Sequence, residues 1–77
     1  MKKYYEVEFG TSKDLSDSYS ICIIGERKPS IEEAQEFCKT DLQALGYEHV
    51  TDVLEISADE AHRFFDMENE ATLPIFA

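Results

Sequence analysis

The sequence predicts a small α+β domain in the order β-β-α-β-α. The expected architecture is a three-stranded, mainly antiparallel sheet with two helices on one face and an apolar C-terminal tail. Three observations lead there. Residues 3 to 9 alternate between apolar and polar types. Two Ser-x-x-Glu boxes each open a stretch of helical spacing. A third strand-like run lies between those stretches.

The first strand sets Lys3, Tyr5, Val7 and Phe9 on one face and Tyr4, Glu6 and Glu8 on the other. That is a half-buried strand with a wet, acidic side. Gly10 ends it, and the polar stretch from Thr11 to Asp17 reads as a connection. Residues 19 to 24 form a second strand. Tyr19, Ile21 and Ile23 oppose Ser20, Cys22 and Ile24, so both of its faces carry apolar groups. Ser30-Ile31-Glu32-Glu33 is a capping box, and Ala34, Phe37, Cys38, Leu42 and Leu45 recur at helical spacing. One helix is expected over residues 31 to 45. Gly46 stops it in a left-handed conformation, and Tyr47 packs back on Leu42.

Residues 48 to 56 form the third strand. Strict alternation places Val50, Leu54 and Ile56 together, with Asp52 among them, and puts Val53 on the opposite face. Ser57-Ala58-Asp59-Glu60 caps a second helix over residues 58 to 68, with Ala61, Phe64, Phe65 and Met67 apolar and Asp59 four residues before Arg63. A right-handed crossover returns the third strand parallel to the second, beside the first (order 2-1-3) or beside the second. Residues 71 to 77 are apolar without a period. Pro74 confines them to a sheet edge or an extended strap. They either fold back on the core or provide the surface for a homodimer.

Seventy-seven residues make one domain with a thin core, burying about 60–65% of the surface its unfolded chain exposes. Nine aromatic residues and 43% apolar content are enough for that core. The formal charge is −10, from 17 acids and 7 bases. Such a surface repels phosphate and anionic lipid, so neither direct nucleic-acid binding nor membrane binding is expected. No apolar run follows Lys2 and Lys3, which excludes a leader or membrane span from the reading and leaves a cytoplasmic protein with reduced thiols as the expectation.

The chemistry-bearing residues do not form a motif. Cys22 and Cys38 are not in a C-x-x-C pair, and their positions in a strand and on a helix stripe suit core packing. His49 and His62 lack metal-ligand spacing, although Asp66 lies four residues beyond His62. Residues 13 to 18 offer oxygen ligands without the calcium-loop pattern. No catalytic residue, metal or cofactor is expected, and an enzyme is not.

Charge distribution is more informative. Residues 1 to 28 hold five acids and five bases, whereas residues 29 to 77 hold twelve acids and two bases, Lys39 and Arg63. All the net charge therefore belongs to the helical part. Glu32 and Glu36 are a like-charge i,i+4 pair. Asp66, Glu68 and Glu70 gather where the second helix ends and its dipole disfavours them. Together with Asp59 these are the candidate partner-binding residues, and a basic surface of another protein is the expected partner. A solvated face that only keeps the chain soluble is the competing explanation. By size, acidity and mixed architecture, the whole chain resembles the small inhibitor proteins of phages and mobile elements, anti-CRISPR proteins among them. That resemblance implies an inhibitor that docks an acidic surface in a nucleic-acid-binding groove, and it assigns no residue a role.

Overall fold

The computed structural model describes residues 2–11, 17–65 and 74–76. The elements are β1 (Lys3–Gly10), β2 (Ser18–Gly25), α1 (Ile31–Phe37), α2 (Lys39–Leu45), β3 (His49–Ile56), α3 (Ala58–Phe64) and β4 (Ile75–Phe76). The strands form one sheet in the order β3-β1-β2-β4. The α+β class is as expected, and β1 lies between β2 and β3, antiparallel to both.

The sheet has a fourth strand, and it is mixed. β4 runs parallel to β2, with Ile24 opposite Ile75 and Gly25 opposite Phe76. The Ile24 amide donates to the Pro74 carbonyl at 3.0 Å. The tail thus folds back as an edge strand, one of the places a proline is tolerated. Phe76 fills the core beside it and meets Phe37 edge-on at 5.5 Å between centroids. Residues 71–73 lie outside the described residues.

The main core lies on the face of β1 that carries Tyr5, Val7 and Phe9. Ile23, Val50, Val53 and Phe76 join it from the sheet, and Ala34, Cys38 and Leu42 from α1 and α2. Burying a large apolar side chain contributes about 1.5–3 kcal/mol, so this cluster supplies most of the driving force for folding.

Strict alternation in the third strand fails because β3 carries a bulge. Val7 opposes Val53, Glu8 opposes Asp52, and Phe9 opposes Val50, so Thr51 is the extra residue. The bulge reverses the parity. Val50 and Val53, three apart in sequence, both face the core, while Leu54 is left 44% exposed on the other side.

The two helical segments do not share a face. Tyr4, Cys22 and Ile56 stand on the side of the sheet opposite the main core, since Tyr4 pairs with Ile56 and Cys22 with Glu6. Ala61 of α3 and the following Phe65 pack there with them in a second, smaller cluster. The cause is the apolar content on both sides of β2, which one layer of helices does not cover. Phe64, expected inward, is 67% exposed.

The single helix expected over residues 31 to 45 is two, divided at Cys38 (φ −97, ψ 13). Nothing in the surrounding side chains explains the break, and Ala34, Cys38 and Leu42 are buried across it. Both capping boxes form as expected, at Ser30 with Glu33 and at Ser57 with Glu60. α2 ends at Gly46 in the left-handed region (φ 82), with the Tyr47 amide donating to Leu42 and the Gly46 amide to Gln43. α3 ends at Phe64, before an extended Phe65. Residues 66–68, expected in that helix, lie outside the described residues, as does Asp66, the proposed partner of His62.

Candidate partner-binding surface

Every charged side chain among the described residues reaches the surface at least in part. The sequence sets where the acids fall. α1 turns Ala34 inward, so Glu32 and Glu36 project outward and are exposed. Asp41 on α2 and Glu48 after it are also exposed. Glu36 and Glu48 line one depression of about 320 Å³ with Gln35, Lys39, Gln43 and Tyr47. Lys39 is the one base that α1 and α2 themselves carry.

Asp59 is exposed on α3. Because α3 packs on the other side of the sheet, Asp59 is not brought to Glu32 and Glu36. The described candidates, Glu32, Glu36 and Asp59, therefore do not form one patch. Asp66, Glu68 and Glu70 lie outside the described residues. Asp59 and Arg63 form no ion pair. The ion pairs among the described residues are Arg27–Glu33 (2.6 Å) and Lys3–Glu55 (3.6 Å).

Glu33, also on α1, is partly exposed and has a structural role. Its two carboxylate oxygens accept from Nη1 and Nη2 of Arg27, and Oε1 also accepts from the Ser30 amide. The Arg27 bonds, then the Ser30 amide, hold the Glu33 carboxyl down at about 2. The Arg27 guanidinium also lies 4.9 Å from the centre of the Phe76 ring. One arginine thus ties the start of α1 to β4.

The opposite side of the sheet is acidic in its own way. Glu6 and Glu8 on β1 share a face with Asp52 on β3, and Glu8 directly opposes Asp52. Like charges directly opposite one another on neighbouring strands are destabilising. Both carboxylates turn to local donors: Glu8 Oε1 accepts from Thr51 Oγ1 at 2.9 Å, and Asp52 Oδ1 from the Val53 amide at 2.8 Å. Strict alternation sets Glu6 and Glu8 on a wet face as observed, but it sets Asp52 among core residues, because the bulge leaves no mark in residue type.

Cys22 and Cys38 are free thiols in the two clusters. Burial, and then the Asp41 charge, push the Cys38 thiol up to about 11, so it is an inert thiol at neutral pH. Among the described residues no three of His, Cys, Asp and Glu stand where they could share a metal ion. His49, Glu8 and Asp17 line one hollow, of about 80 Å³, well below the usual size of a ligand pocket. Another cavity, of about 520 Å³, is lined by Lys2, Ile24, Gly25, Glu26, Arg27, Ile75 and Phe76. No helix of the described residues is long and apolar enough to cross a membrane.

Fold and surface together define a small α+β domain with a mixed four-stranded sheet and a predominantly acidic exterior. No protein-family model, curated protein or solved structure matches the chain.

Proposed function

We propose that this chain is a non-enzymatic binding protein that docks the acidic surface of α1 and α2 on a basic site of a protein partner, as an inhibitor or a mimic of nucleic acid. The observation that carries this reading is the charge segregation. Residues 29 to 77 hold twelve acids against two bases. Glu32 and Glu36 on α1, Asp41 on α2 and Glu48 after it are exposed, and Lys39 is the sole base that these two helices carry. A solubilising charge has no need to be segregated. A surface that steers toward a basic groove does, and it tolerates the like-charge Glu32–Glu36 pair.

The test is a pull-down from the source cell at low and high salt, comparing the wild type with Glu32→Lys/Glu36→Lys and with Asp59→Lys. The bound partner should be lost as salt rises. The α1 variant should retain severalfold less of it, and the α3 variant should bind as the wild type does. Retention independent of salt, or equal retention by all three proteins, refutes the reading. The second reading is self-association. It is supported by the exposure of Phe64 and Ile75, at 67% and 59%. Light scattering that finds a strict monomer at all concentrations removes it.

A further inference from the structure

We infer that Gln35 and Asp52 guard the outer edge of β3, and that this guard keeps a second copy of the chain from adding its own β3 antiparallel to the sheet. The inference stands apart from the partner proposed above. It begins with the hydrogen-bond alternation of antiparallel strands, in which successive residues bond to one neighbour and then turn away. On β2 the Ile24 amide points outward, to Pro74. Even-numbered residues of β2 therefore turn away from β1, and odd-numbered residues of β1 bond to β2. Even-numbered residues of β1 are left to bond to β3.

Val50 and Val53 pair with Phe9 and Val7, odd-numbered residues of β1 that are committed to β2. The amides of both valines must then face outward along the edge of the sheet. Both are already taken by side chains. Gln35 Oε1, reaching down from α1, accepts from the Val50 amide at 3.3 Å. Asp52 Oδ1 accepts from the Val53 amide at 2.8 Å. The Thr51 bulge between them breaks the regular repeat that an incoming strand needs. β3 spans eight residues, which is long for an unguarded edge. In a two-fold dimer each β3 would meet its own copy, so uncapping both amides exposes a self-complementary edge.

The test compares Gln35→Ala/Asp52→Ala with Gln35→Ala/Asp52→Asn, which keeps an acceptor oxygen beside Val53 but removes the charge. Sedimentation velocity over a wide concentration range gives the mass, and amide exchange reads Val50 and Val53. The wild type and the Asn variant should remain at the monomer mass. The Ala variant should rise with concentration toward twice that mass, with slowed exchange at Val50 and Val53. The inference is overturned if the Ala variant stays monomeric, if the Asn variant associates to the same degree, or if the wild type already pairs through β3. Should the double variants fail to fold, Asp52→Ala alone decides the matter by exchange at Val53. Slowing as concentration rises supports the guard, and unchanged exchange refutes it.

Discussion

Phe76→Ala tests the finding that the tail is structural. Phe76 is 8% exposed, packs in the main core, meets Phe37 edge-on and lies under the Arg27 guanidinium. Truncating a core phenylalanine to alanine costs about 3–5 kcal/mol. Phe76 sits at a sheet edge, where water can enter the space left behind, so the lower end, about 3 kcal/mol, applies. A domain of this length has about 4–12 kcal/mol of stability in all. The variant should lose a large share of it and melt roughly 12–24 °C lower. Ile75→Ala is the control. It lies on the same two-residue strand but is 59% exposed, and should change stability by no more than about 0.5 kcal/mol. Urea denaturation followed by far-UV circular dichroism measures both. Equal effects at the two positions, or a loss at Phe76 below about 1 kcal/mol, would refute the placement of β4 against the core.

Ser30→Ala removes the acceptor for the Glu33 amide and should cost about 1 kcal/mol in the same urea titration, with Ser30→Gly costing less. Glu33 provides a pH test. Its folded carboxyl is held at about 2 against an ordinary 4.5, so the stability it contributes is present above 4.5 and is lost as pH falls toward 2. The stability difference between the wild type and Glu33→Gln should therefore be visible at neutral pH and vanish at the acid end. A constant difference would refute the role of the Arg27 pair. Cys38 behaves in the opposite sense: its raised value favours the folded state below 9.0, and that contribution is lost as pH rises through about 11. Native protein should resist thiol alkylation at neutral pH and become reactive in urea, and rapid native labelling at Cys38 would contradict its burial.

What the sequence makes legible here is mostly local. Ser30 with Glu33, Ser57 with Glu60, and Gly46 with Tyr47 are signals within one turn of a helix, and each forms as read. The alternation of β1 is also local, and its burial follows it. Misreadings arise where distant parts of the chain compete. The apolar content on both sides of β2 is plain in the sequence, but which face α3 covers depends on the side that α1 and α2 already occupy. Thr51 is an ordinary strand residue, and only its pairing with β1 makes it a bulge. The spacing of Val50 and Val53, odd in a regular strand, was the available clue. The candidate surface suffers in the same way. Glu32 and Asp59 looked like parts of one acidic half, yet the sheet itself stands between the helices that carry them.

The division of the core into a large and a small cluster sets a hierarchy of opening. α3 is anchored by Ala61 and Phe65 on a patch of Tyr4, Cys22 and Ile56, while β1 is held from both neighbouring strands and by the main core. Detaching α3 uncovers only that patch, and the ladder of β1 with β2 and β3 survives it. The molecule is therefore built to breathe on one side, with amides of α3 exchanging through a local event and those of β1 only through global unfolding.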